Sequence, residues 1–143
     1  MGMPARVSVT TIPDLLAIPA DGLRHELLDG EHVVTPAPTL RHQLAVRAMV
    51  HALEESLWNV RVVHLLTSPA DIVLGPRTLV QPDIFVVHRD PDDPPRSWSD
   101  VGIPLLALEI LSPSTAARDR GKKRQLYLDA GVQEYWIVDI DGP

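Results

Sequence analysis

Cysteine is absent from the 143-residue chain. That excludes disulfides and thiolate metal sites and suits a reducing, cytoplasmic setting. No apolar run approaches the ~20 residues of a membrane span, so no membrane partner is expected. The N-terminal MGMPARVSV also lacks the apolar core of a secretory signal. His25, His32, His51, His64 and His88 are dispersed and show no zinc-ligand spacing. Gly121-Lys122-Lys123 lacks the upstream glycine and the Ser/Thr of a phosphate-binding loop. Ser112 and Ser114 lack the G-x-S-x-G context of a hydrolase elbow. Positive charge is also short: the net charge of −6 gives no global attraction to nucleic acid, so any such binding must use a local basic patch.

What is present is ordinary globular material. Apolar residues make up 45% of the chain, enough to bury a core at the usual size of one domain, residues 1–143. A flexible N-terminal tail is expected over residues 1–9. Thr10-Thr11 followed by Pro13-Asp14 reads as a short helix start, ending by Pro19. Asp29-Gly30 between Arg24–Leu28 and His32–Val34 reads as a hairpin turn. Apolar residues at Leu44, Ala45, Ala48, Met49, Ala52, Leu53 and Leu57 recur at helical spacing, with Thr39 as the N-cap. Strands are expected over residues 60–66, 70–74 and 84–87. The segment from His88 to Pro104 is rich in Pro and Asp; a connection that long is usually functional or mobile.

The chain is organised around residues 105–139. Leu105 to Leu111 is apolar at both parities except for Glu109, the pattern of a strand covered on both faces. An ionised carboxylate there costs several kcal/mol unless it is paired or bound to a metal. Ser112-Pro113-Ser114-Thr115 break the strand, a basic helix follows, and Gly131 ends it before the strand Tyr135–Val138. Strand–helix–strand units default to a parallel pair with a right-handed crossover. Asp83, fixed by Pro82, stands directly before the buried strand 84–87. Taken alone it reads as a solvated strand start. With Glu109 at the end of a second buried strand, the pair is what a divalent cation site requires. On the following helix Asp119, Lys123 and Tyr127 share one face at i, i+4 spacing. Lys123 reads either as part of a solvated basic face or as a cation near the two carboxylates.

These residues carry a resemblance. Pro82-Asp83 with Glu109-Ile110-Leu111 resembles the PD-(D/E)XK nuclease signature. HELLDGEHVVTPAP, RHQ, VQPDIFVV, LEILSPST and GVQEYWIVD together resemble the Uma-two family of restriction endonucleases, from about Leu23 to Asp139. The resemblance implies a restriction-endonuclease-like α/β fold, a mixed central sheet flanked by helices. It also implies phosphodiester hydrolysis in DNA, dependent on Mg²⁺ with Mn²⁺ as substitute. Asp83 and Glu109 match the acidic motif residues. Leu111 stands at the motif lysine, and Lys123 matches a lysine moved to the next helix. Glu26 matches a family glutamate that can complete the metal site. His42 matches the RHQ histidine, although a packed or solvent-facing helix residue is the slightly favoured reading. Arg118, Arg120, Lys122 and Arg124 are the expected, weak DNA-backbone contacts.

The family continues with further strands beyond WIVD, whereas this sequence stops at Pro143. A sheet edge left open there would favour a homodimer or higher homo-oligomer. Two other classes compete with the enzyme: an inactive nuclease-fold domain serving binding or assembly, favoured by acidity and the missing in-motif lysine, and a DNA-binding regulator using the basic helix without hydrolysis.

Overall fold

Helix α1 (Ile12–Leu16) begins at Thr11, whose side-chain oxygen accepts the Asp14 N–H at 3.2 Å, and Pro13 sits in the first turn, where a missing N–H costs nothing. The computed structural model describes residue 2 and residues 8–142. Most of the expected tail over 1–9 lies outside the described residues. Val9, which is described, packs on the cluster of Leu15, Leu27 and Leu79.

Strands β1 (Arg24–Leu28) and β2 (Glu31–Thr35) form the expected hairpin. Asp29 and Gly30 both take positive φ, 49° and 82°, as a two-residue primed turn requires. Helix α2 (Leu40–Ser56) starts at Thr39, which accepts the His42 N–H at 3.2 Å. Its inward face differs in part from the expected one. Ala45, Val46, Met49, Val50, Leu53 and Leu57 pack inward, while Leu44, Ala48 and Ala52 are exposed. The helix carries two apolar stripes, and the sheet beneath it accepts only one.

The remaining strands are β3 (Val63–Thr67), β4 (Ile72–Gly75), β5 (Thr78–Val80), β6 (Ile84–His88), β7 (Leu106–Ile110) and β8 (Glu134–Val138). At three residues β5 is too short to show alternation, and the sequence pattern does not announce it. The central sheet is in fact two: an antiparallel one in the order β2-β1-β5-β4 and a mixed one in the order β3-β6-β7-β8. Among the described residues only β7 and β8 run parallel, as the strand–helix–strand pattern leads one to expect. The helical crossover between them is broken at Gly121 (φ −109°, ψ −98°) into α3 (Ala116–Arg120) and α4 (Lys122–Asp129). In the long segment between β6 and β7, Trp98 packs edge-on to Phe85, with ring centroids 6.1 Å apart.

Side-chain parity then assigns each layer. On β6 and β7, Ile84, Val86, Leu106, Leu108 and Ile110 face α2. Phe85, Val87 and Ala107 face the other way, into the layer that holds Leu28, Val80 and Tyr127 between the sheets. That two-sided burial explains the near-continuous apolar runs. Successive strand side chains alternate, so Asp83 shares the side of Phe85, Glu109 that of Ala107, and Arg24 and Glu26 that of Leu28. All four polar residues therefore enter one layer.

Candidate active site

β6 and β7 are antiparallel, with Ile84 opposite Leu108, so the start of one lies beside the end of the other. This brings Asp83 and Glu109 together. The Ile110 N–H donates to Asp83 Oδ2 at 2.8 Å across the same strand pair. His42 Nε2, on the first turns of α2, lies 3.2 Å from that oxygen. Arg24 donates to the other oxygen, Oδ1, at 2.5 Å. The same guanidinium reaches within 3.8 Å of Glu109 Oε2, so one cation lies between the two carboxylates.

Lys123 completes the cluster from the helical side. It is 1% exposed. Its Nζ stands 2.9 Å from Glu26 Oε2, 3.0 Å from Glu109 Oε1 and 3.9 Å from Asp119 Oδ1. The i, i+4 face of Asp119, Lys123 and Tyr127 survives the break at Gly121, and all three are buried. The solvated-face reading of Lys123 is thereby excluded. The Tyr127 hydroxyl donates to Glu109 Oε1 at 3.0 Å, and its ring stacks on Tyr135 at 5.0 Å. The Gln81 N–H donates to Glu26 Oε2 at 2.8 Å, fixing that carboxylate toward the lysine. Leu111, at the motif lysine position, is a buried apolar residue.

Charge is unevenly compensated here. Four buried carboxylates (Glu26, Asp83, Glu109 and Asp119) face two permanent cations, Arg24 and Lys123. Two negative charges are left over if all four ionise. For Asp83, burial works against ionisation, but His42, Arg24 and the Ile110 N–H outweigh it and hold the pKa at about 2. Glu109 goes the other way: burial, then the charges of Asp83, Glu26 and Asp119, push it up to about 8 against the pull of Lys123. Burial also raises Asp119. Lys123 stays protonated despite its burial because Glu109, Glu26 and Asp119 surround it. Two carboxylates driven in opposite directions within one cluster are a mark of a functional site.

A cleft of about 740 Å³ opens on the cluster, lined by Arg24, His42, Asp83 and Gln81 among apolar residues of α1 and the Pro36–Pro38 turn. Glu26, Glu109 and Lys123 lie off its lining. Among the described residues no group of three or more His, Asp or Glu side chains is arranged to hold a metal ion. The pair Asp83 and Glu109 nevertheless suits a hard divalent cation. Both are oxygen donors, both already lean on one cationic group, and Mg²⁺ needs only one or two carboxylates beside water and phosphate. Glu26 is placed differently, with its Oε2 committed to Lys123 and Gln81.

Residues 12–143 match the Uma2 family, described as "Putative restriction endonuclease". The chain belongs to that family. A solved structure, a putative nuclease belonging to DUF820 from Anabaena variabilis, superposes with a TM-score of 0.74 at 20% identity. The match covers 90% of this chain and 73% of that one. No curated protein matches. The Uma2 membership supports a nuclease, the solved structure shows the shared fold, and no helix among the described residues is long and apolar enough to cross a membrane.

Within this Uma2 chain the structure brings Glu26, Asp83, Glu109 and Lys123 into one cluster. Among the described residues, no ion pair joins that cluster to the four basic residues expected on DNA. Arg120 pairs with Asp139 at 3.2 Å and Lys122 with Glu31 at 2.8 Å, Arg118 is half-buried, and Arg124 is exposed. Arg24 was not singled out in the sequence. Strand parity places Arg24 on one face with Glu26, but does not bring it to Asp83 or Glu109. The contact of His42 with Asp83 joins residues 41 apart in sequence, which local pattern does not reach.

Proposed function

We propose that this single nuclease-like domain is a DNA endonuclease dependent on Mg²⁺, with Mn²⁺ as substitute. The observation that supports it most is the buried Asp83–Glu109 pair, bridged by Arg24, beside a cleft. Asp83 and Glu109 would hold the ion, with Glu26 adding charge and holding Lys123. When bound, Mg²⁺ supplies Lewis-acid polarisation of the phosphate and a water of lowered pKa.

The chain's own residues do the positioning. Asp83 is ionised throughout the neutral range and is aimed by His42 and the Ile110 N–H. Lys123, held protonated, is suited to fix Glu109 and Glu26 and to offset charge on the phosphate rather than to take a proton from water. Arg124 and Lys122 would add backbone contacts at the rim. A homodimer is the favoured assembly: β8 is an outer strand of its sheet, and Leu40 and Leu44, one turn apart on α2, are exposed.

Plasmid DNA is the test substrate. Cleavage with Mg²⁺ or Mn²⁺, lost with chelator and lost in Asp83→Asn, is the expected result. Cleavage that survives chelator or that substitution overturns the assignment. A wild-type protein with neither cleavage nor Asp83-dependent Mn²⁺ binding would instead be a binding or assembly domain.

A further inference from the structure

The residue between Asp83 and Glu109 is Arg24, and its placement is unusual for a structural ion-pair partner. Its side chain is 16% exposed and lines the cleft, whereas Glu109 behind it does not. It touches both carboxylates proposed as ligands, at 2.5 Å and 3.8 Å. It also extends from the first residue of β1, next to the exposed Leu23, so its stem can turn toward the cleft without disturbing the hairpin core. A guanidinium is, in addition, the side chain best matched to a phosphate, which it can grip with two parallel N–H donors.

We infer that Arg24 is a displaceable cation: it holds the space between Asp83 and Glu109 in the metal-free protein, then yields that space to a divalent ion and turns into the cleft to bind a DNA phosphate. The inference rests on the nuclease reading above and adds a residue and an order of events to it. Arg24 thereby makes the metal and the DNA phosphate cooperative, because the guanidinium freed by the first is the donor for the second.

Titration of Mn²⁺ alone, without DNA, tests the competition. Arg24→Gln should bind Mn²⁺ at least tenfold more tightly than the wild type, because no guanidinium contests the site, and Arg24→Lys should stay near the wild type. Arg24→Gln should also lose most of its affinity for a DNA duplex measured in Ca²⁺, where cleavage is not read. Equal or weaker Mn²⁺ binding by a folded Arg24→Gln overturns the inference. Should that variant fail to fold, the wild type decides: the Arg24 guanidinium NMR signals, slowed in rotation by the ion pair, should become fast-rotating as Mg²⁺ is added. Signals that stay slow at saturating Mg²⁺ overturn it equally. The nuclease reading fails separately, when wild-type Mn²⁺ binding is absent or unchanged in Asp83→Asn.

Discussion

Lys122 and Lys123 are neighbours in sequence and opposites in structure. The Lys122 side chain is 42% exposed and directly contacts one exposed carboxylate, Glu31, at the surface. Lys123 is buried among Glu26, Glu109 and Asp119. A helix turns about 100° per residue, so adjacent side chains leave on different faces, and only one can join the layer between the sheets. Water screens the first pair, so it contributes little. The second has no water to screen it, and breaking it leaves carboxylates stranded in a medium that disfavours their charge.

The largest expected effect separates the two lysines. Lys123→Met should destabilise the protein by roughly 3–5 kcal/mol at pH 8, the range for removing one partner of a buried ion pair. The loss should shrink toward pH 5, where the stranded carboxylates can take up protons. Lys122→Ala should leave the melting temperature within experimental scatter. Equal melts for the two variants would erase the distinction between the faces.

Next in size is Glu109→Gln, which sharpens the comparison from the acidic side. The folded pKa of Glu109 lies above its ordinary value of 4.5, at about 8. The folded state therefore binds this proton more tightly than the unfolded one. The associated stability is complete below about pH 4.5 and is lost as pH rises through about 8. Glu109→Gln removes the charge but keeps an oxygen for Tyr127 and Lys123. In chelator it should gain on the order of 1–4 kcal/mol over the wild type at pH 8 to 9, and little at pH 4.5. A variant that melts lower than the wild type at pH 9 would mark Glu109 as a structural ion-pair partner instead.

The smallest effect concerns the exposed basic face. Lys122→Glu with Arg124→Glu should leave folding intact and weaken DNA binding a few-fold, with a shallower dependence on salt. Unchanged binding and salt slope would remove these residues from the DNA path.

How much of this was written in the chain depends on the range of the interaction. The turn at Asp29-Gly30, the Thr11 and Thr39 caps and the doubly buried strands around Phe85 and Leu108 follow from local rules. Parity along a strand and the i, i+4 step along a helix also showed which polar residues travel together: Asp119 with Lys123 and Tyr127. Whether such a set turns inward is a different matter. The same periodicity serves a solvated face, and burial is decided by what packs opposite. On α2 the pattern offered Leu44 and Ala48 for the core, and the sheet took Val46 and Val50 instead.

The pairing of Asp83 with Glu109, at the start of one strand and the end of another, was readable once the two strands were taken as neighbours. Arg24 between them was not, nor was the count of four carboxylates against two cations. Those facts join residues from Arg24 to Lys123, and electrostatic energy depends on the distances among all of them at once. Sequence alone determined the strands other than β5, the caps and which side chains share a face. The tertiary structure alone decided which faces meet, and with them the charge balance from which the site's chemistry follows.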